Sequence, residues 1–347
     1  MSVSVIIPAH NEQEWLDRTI QNINETARGE IEVCVVLNGY DQKVESEGKG
    51  VRVLRYRENL GERVGMNSAA HMARSTHLLR IDAHCDFSPE AWDIMLEEVT
   101  GEKDITVAVL TATDKQWKRI PGHWYGFCRL LKTADEQGRL GLEAKWEKPN
   151  KDKSSYQTIE PNMAFTGCGF MLRRDFYFQI GGADESLPKM GAIGEEFAIK
   201  AWAAGGKVQT RTDVMIGHIF DTGGYDTSGV HDARVALLEK YGDAYDAVKA
   251  KFPHFDTGIQ LKSAAHKGPD IRTVIVNRTD TTETEDGEGK VIRRKVEYFK
   301  YVWLETEHPT EKALTEDQIC EKYAPQAKLV SQQEYYADDK GELVEVA

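Results

Sequence analysis

Along the first 110 residues the apolar positions switch repeatedly between a strand-like and a helix-like period. SVSVIIPA is β-branched and apolar and reads as a strand. The following EQEWLDRTIQNIN spaces Trp15, Leu16, Ile20 and Ile23 as one face of a helix. IEVCVVLN and VRVLRYR read as a second and third strand, Asn67 to Ala73 as a short helix, and His77 to Ile81 as a buried strand. In SPEAWDIMLEEV, Ser88 is expected to cap a helix, with Pro89 at its first position and Glu90 in its first turn. Alternating β and α units predict an α/β fold, with a mostly parallel central sheet and helices on both faces.

The pattern then loosens. Trp117 to Thr158 is rich in Gly, Trp and Lys and reads as an irregular surface or active-site region. A second patterned block runs from Thr166 to Phe220 through TGCGFMLRRDFYFQIGG, GEEFAIKAWAAGGKV and VMIGHIF. A helix from Asp232 to Lys251 keeps an apolar stripe and stops at Pro253. Beyond it, IRTVIVNRT and VIRRKVEYFKYVWL flank the acidic TETEDGEG, which predicts a β-hairpin with a long turn. The last 40 residues are polar, with one helix expected at Thr315 to Tyr323. This divides the chain into 1–253 and a C-terminal extension, 254–347, and no internal repeat is evident.

Composition narrows the function classes. Apolar content of 40% and charged content of 29% are those of an ordinary globular protein. A formal charge of −13 argues against nucleic-acid binding driven by overall electrostatics, though not against a local basic groove. The five cysteines, Cys34, Cys85, Cys128, Cys168 and Cys320, are scattered without a C-x-x-C pair and read as reduced thiols. With a strand-like segment directly after Met1 and no membrane-length apolar window, a cytosolic protein is expected, with no membrane partner.

The candidate chemistry centres on LLRIDAHCDF, where an apolar run ends in Asp82 with His84 and Asp86 following at alternate positions. Strand alternation would put all three on one side, so that a carboxylate and an imidazole could face one ion, and would turn Cys85 into the core. An oxygen ligand beside a nitrogen ligand suits a divalent transition ion such as Mn²⁺, and that ion suits a diphosphate. A strand-end cap is the alternative for so short a motif.

Several segments in the same order resemble family-2-like glycosyltransferases of the GT-A fold, most closely the polypeptide N-acetylgalactosaminyltransferases. They are SVIIPAHNE, VRVLRYRENLGERVGMNSAAHMA with HLLRIDAHCD, LGLEAKWEKPN, GEEFAIKAW, VMIGHIF and DARVALLEKYGDAY. The likeness covers residues 2 to 253 and extends neither to the C-terminal extension nor to a lectin domain. It implies a metal-dependent, retaining transferase that uses Mn²⁺ or Mg²⁺ and a nucleotide-sugar donor, a UDP-linked N-acetylgalactosamine or hexose. Asp82, His84 and His218 would hold the metal. Pro8, Ala9, Asn11, Glu12 and Asn38 would line the nucleoside pocket, Arg63 would reach the nucleotide and Trp146 would flank the donor. Glu195 and Glu196 would face the acceptor as catalytic carboxylates beside Asp82; favourable charge placement at a helix N-terminus is the alternative.

Two departures stand out. VVLNGYD has Asn38 where the family has paired aspartates, and Asp221 follows GHIF in place of an arginine. For the acceptor, the resemblance gives Ser or Thr on a polypeptide. Compact cytosolic relatives in bacterial viruses (bacteriophages) instead modify DNA, glycosylating 5-hydroxymethyl pyrimidines, and the expected compartment favours that acceptor. Lys115 to Arg119, Lys145 to Lys153 and Arg293 to Lys300 could then contact phosphates. For Arg293, Arg294 and Lys295 a charge-guarded edge strand is the other reading. A non-catalytic sugar-nucleotide or nucleic-acid binding module is the remaining alternative.

Overall fold

Strand β1 (Val3–Ala9) is the spine of the central sheet, pairing in parallel with β2 (Ile31–Asn38) on one side and β4 (His77–Arg80) on the other. The computed structural model describes residues 2–135, 137–147, 156–220 and 229–252. It gives the backbone alone of 260–261, 271–285, 291–305, 328–337 and 343–345. Asp221, most of the basic run after Lys145, the hairpin turn and the helix expected at Thr315 to Tyr323 lie outside the described residues.

Strand β3 (Val51–Tyr56) pairs in parallel outside β2. Beyond β4 the sheet becomes mixed. β10 (Phe170–Arg173) runs antiparallel between β4 and β6 (Asp104–Ala112), and β6 pairs in parallel with β11 (Lys207–His218). β5 (Cys85–Ser88) and β9 (Ile159–Pro161) run antiparallel against β11. Side chains of β1 and β2 alternate between two cores, one on each face. One face has Val5, Ile7, Val33 and Val35 under α1 (Leu16–Thr26) and α3 (Trp92–Glu97). The other has Ile6, Cys34 and Val36 under α2 (Glu62–Met72), with Phe176 of α4 (Arg174–Gln179), Phe197 of α5 (Ile193–Ala203) and Leu237 of α6 (Val230–Lys251) in the same core.

Two elements differ from the sequence expectation. Ser88 does not cap a helix: it is the last residue of β5, paired with Met215, and α3 begins only at Trp92. Edge pairing on β11 outweighs the local capping signal there. Within the irregular region, Cys128–Ala134 (β7) and Leu140–Trp146 (β8) form an antiparallel hairpin packed against α6, and Gln260–Leu261 (β12) pairs beside β7.

The chain divides into two compact units, Met1–Lys262 and Ser263–Ala347. In the second, β13 (Ile271–Glu285), β14 (Val291–Glu305), β15 (Lys328–Ala337) and β16 (Leu343–Glu345) form an antiparallel sheet in sequence order. The hairpin strands reach Glu285, so part of the acidic segment expected in the turn belongs to β13. Among the described residues no helix is long and apolar enough to cross a membrane.

Candidate metal centre

The C-terminal ends of β1, β4 and β11 converge on one point, the place where open α/β sheets leave room for ligands. β4 stops at Arg80, and the turn 81–84 carries Asp82 and His84 before β5 begins. Helix α1 anchors that turn. Buried Thr19 donates through Oγ1 to the Ala83 carbonyl at 2.7 Å and accepts from the Cys85 amide at 3.0 Å. His218 ends β11 directly across from Cys85, which brings its ring to 4.7 Å from that of His84.

One ligand atom from each of Asp82, His84 and His218 lies within 4.8 Å of the others. Asp82 Oδ2 faces His218 Nε2 at 2.9 Å, Asp82 Oδ1 faces Arg80 at 2.8 Å, and His84 Nδ1 faces Glu12 Oε2 at 3.0 Å. Arg80 is itself buried, paired with Glu62 and bonded to the Gly167 carbonyl. Burial pushes the Asp82 carboxyl up, but Arg80, His218 and His84 outweigh it and hold the group well below the usual carboxylate range. Burial likewise opposes charge on both histidines. Glu12 and Asp82 overcome it at His84, whose pKa is raised, and it prevails at His218, whose pKa is lowered. The buried Nδ1 of His218 has no hydrogen-bond partner among the described residues. A carboxylate and two imidazoles this close fit a divalent transition ion.

Asp86 does not join them. It turns to Arg119 at 3.2 Å on a neighbouring patch against Gly217, where an added Cβ would lie 1.8 Å from the Asp86 carboxylate. The chain is not one continuous strand across 82–86, so simple alternation fails. Cys85 lies in the core as expected, but its Sγ is 3.6 Å from that of Cys168, and the two thiols with His218 form a second close set of ligand atoms. Burial beside a second sulfur raises the Cys85 thiol well above its usual range, which disfavours the thiolate a metal needs.

Other residues singled out from the sequence are distributed unevenly. Pro8 and Ala9 end β1 near the turn, and Asn11, exposed at φ 59°, bends the chain toward α1. Asn38 is buried, and its amide is engaged by the loop before α2. Its Nδ2 donates to the Gly61 carbonyl at 2.8 Å and its Oδ1 accepts from the Leu60 amide at 2.9 Å, tying down the loop before α2. Arg63 does not reach toward a nucleotide. It is 1% exposed and bonds the Pro188 and Gly191 carbonyls at 2.6 and 2.8 Å and Glu196 at 3.2 Å.

Glu196 is likewise withdrawn from any acceptor, fully buried against Arg63, Lys200 and the Asp184 amide. Glu195 accepts from the Ala144 amide at 3.0 Å beside Arg234, holding α5 to β8; burial raises its pKa against the opposing pull of Arg234. On another side of α5, Gly194 permits a close approach to the segment before β10, since a Cβ there would lie 2.0 Å from the Phe165 carbonyl oxygen. Trp146 is linked to the centre only through a series of ring contacts: Trp146 to Tyr125 at 4.9 Å, Tyr125 to Phe220 at 5.5 Å, and Phe220 to His218 at 4.4 Å. Half-exposed Phe220 gives this series an open face.

Sequence reasoning missed Arg80, Glu62, Tyr125 and Phe220. The one visible signal was Arg80, a cation inside the apolar run HLLRI.

Comparison with known proteins places these residues in context. The family description "Glycosyl transferase family 2" matches residues 4–181. The chain is 27% identical over 238 residues to human polypeptide N-acetylgalactosaminyltransferase 15, covering 63% of this chain and 36% of that protein. Against human polypeptide N-acetylgalactosaminyltransferase 6 it is 23% identical over 274 residues, covering 71% and 43%. The chain thus spans less than half the length of these curated relatives. Among solved structures it is similar to GalNAc-T7 crystallised with UDP, GalNAc and Mn²⁺. The TM-score is 0.56 at 22% identity, over 73% of this chain and 50% of that one, a likeness that establishes the GT-A fold.

Proposed function

The chain belongs to glycosyl transferase family 2, and from that premise we propose a divalent-metal-dependent transferase that moves a sugar from a uridine diphosphate donor to an acceptor hydroxyl. The observation that carries this is the convergence of Asp82, His84 and His218 at the end of the sheet, with ligand atoms within 4.8 Å. These three residues would hold the cation, and two imidazoles favour Mn²⁺ over the oxygen-seeking Mg²⁺. When bound, the ion would supply Lewis-acid neutralisation of charge on the departing diphosphate. The GalNAc-T7 crystals, which contain UDP and Mn²⁺, support the same pairing.

The chain's own residues would hold and orient. Arg80 keeps Asp82 ionised through their 2.8 Å pair, and Thr19 fixes the turn that carries both Asp82 and His84. Phe220, Tyr125 and Trp146 offer an aromatic wall for the donor sugar. With Glu196 saturated and Glu195 tied to β8, neither carboxylate is placed as a free base. That favours a retaining course, in which the acceptor hydroxyl attacks on the face the diphosphate leaves and its proton passes to the departing phosphate oxygen.

For the acceptor we propose the 5-hydroxymethyl group of a pyrimidine in DNA, with exposed Lys115, Lys118 and Lys145 as phosphate contacts. Arg119 is withdrawn from that role by Asp86. Ser or Thr on a polypeptide is the second reading, favoured by the names of the relatives.

The test supplies the protein with Mn²⁺, mixed UDP-sugars and duplex DNA containing 5-hydroxymethyl pyrimidines, with a Ser/Thr peptide pool in parallel, and reads products by mass spectrometry. A hexose- or N-acetylhexosamine-sized gain on the nucleoside is expected. A gain on peptide alone replaces the first acceptor with the second. Binding of UDP-sugar without any Mn²⁺-dependent turnover would mean a non-catalytic binding module.

A further inference from the structure

We propose that Glu12 is a positioning residue that presets His84 for the cation, rather than a contact to the nucleoside. This rests on reading Asp82, His84 and His218 as a cation site.

The backbone of Glu12 is fixed, because its carbonyl accepts from the Trp15 and Leu16 amides, each at 3.0 Å, at the start of α1. Its carboxylate Oε2 meets His84 Nδ1 at 3.0 Å, with the side chains only 16% and 11% exposed. A carboxylate at Nδ1 keeps the ring proton on that nitrogen and leaves the Nε2 lone pair for a metal. It also fixes the ring plane and raises the basicity of the ligand.

The three ligands are supported unequally. Asp82 is held by Arg80 at 2.8 Å and His84 by Glu12, whereas the Nδ1 of His218 is buried without a partner among the described residues. Glu12 is therefore the only outer carboxylate seen on a ligating imidazole among the described residues. Through it, β1 and α1 act on a ring that belongs to the turn after β4.

The experiment measures Mn²⁺ binding to the full chain from the free-ion spin-resonance signal, for the native protein, Glu12→Ala, Glu12→Gln, His84→Ala and the double variant with both alanines. Calorimetry measures UDP binding without metal, and melting curves monitor the fold. Glu12→Ala is expected to weaken Mn²⁺ binding by about 10–100-fold, the usual cost of losing such a partner. Glu12→Gln should fall between, since its amide oxygen still accepts from Nδ1 without the charge. In the His84→Ala background, removing Glu12 should change Mn²⁺ binding no further, and metal-free UDP binding should be the same throughout.

Unchanged Mn²⁺ affinity in Glu12→Ala, with weaker metal-free UDP binding, would overturn the proposal in favour of a nucleoside contact. An equal loss of Mn²⁺ affinity with and without His84 would overturn it as well. If Glu12→Ala does not fold, Glu12→Gln decides on the same readout. Failure of the native protein itself to bind Mn²⁺ would instead remove the underlying metal reading.

Discussion

The cluster around Asp82 and the cluster around Glu196 are built from the same kinds of charged side chain, and both were singled out from the sequence as functional. They differ in how completely their polar atoms are matched. Glu196 accepts from Arg63 at 3.2 Å, Lys200 at 2.6 Å and the Asp184 amide at 2.7 Å. Arg63 and Lys200 place their remaining donors on the carbonyls of Pro188, Gly191 and Gly182. Around Asp82 the partners are fewer, a buried imidazole nitrogen of His218 is left over, and an aromatic wall opens to solvent at Phe220. A buried charge network that satisfies itself holds helices together; one that does not has capacity left for a ligand.

The sharpest way to break that distinction is Glu196→Ala. It leaves the guanidinium of Arg63 and the ammonium of Lys200 buried without their carboxylate, so a loss of about 3–5 kcal/mol is expected in urea unfolding. Mn²⁺ affinity of the folded protein should not move. A variant as stable as the native chain would show that hydrogen-bond saturation does not separate the two clusters. The complementary changes, His84→Ala and His218→Ala, should lower sugar transfer at least ~10²-fold while costing less stability than Glu196→Ala. Near-normal Mn²⁺-dependent turnover in both would remove these residues from the metal.

Asn38 sharpens the comparison at a third place, because it resembles a nucleotide contact in sequence and a loop clip in structure. Asn38→Ala should destabilise by about 1–3 kcal/mol, since it strands the Leu60 amide and the Gly61 carbonyl. Weakened metal-free UDP binding with unchanged stability would return Asn38 to the base.

What the sequence made legible follows from how local each signal is. β1, β2 and β4 lie in the middle of the sheet, so their apolar runs are continuous and readable. Ser88 misled because its partner Met215 lies far along the chain, and pairing overrode a local cap. β7 and β8 were obscured by Arg129, Lys132, Glu143 and Lys145, which interrupt their apolar positions. Asp82 and His84 are two residues apart and visible as a motif. His218 lies 136 residues from Asp82, and Glu12 lies 72 from His84. Those partnerships exist only once the sheet has formed, so resemblance could suggest the first and nothing local could reveal the second. Glu196 and Arg63 failed for the opposite reason: residue type marks a charge as notable, but its partners decide whether it is spare.

Asp184 offers the gentlest test, on the edge of the saturated network. Burial would raise its carboxyl, but bonds from Lys240, Ser186 and Tyr241 outweigh that and hold it well below the usual carboxylate range. A depressed folded-state pKa means that the unfolded chain takes up the proton first as pH falls. The stabilisation is therefore fully present above the unfolded carboxylate pKa near ~3.9 and is lost as pH drops through the lower folded value. Asp184→Asn should accordingly be less stable than the native protein at neutral pH, and the gap should narrow below about pH 4. With Lys240 46% exposed, solvent screens the pair, and the neutral-pH gap should be no more than about 1 kcal/mol. No gap at neutral pH would mean that the Asp184 amide on Glu196, which the substitution leaves intact, carries this corner of the network instead of the carboxylate.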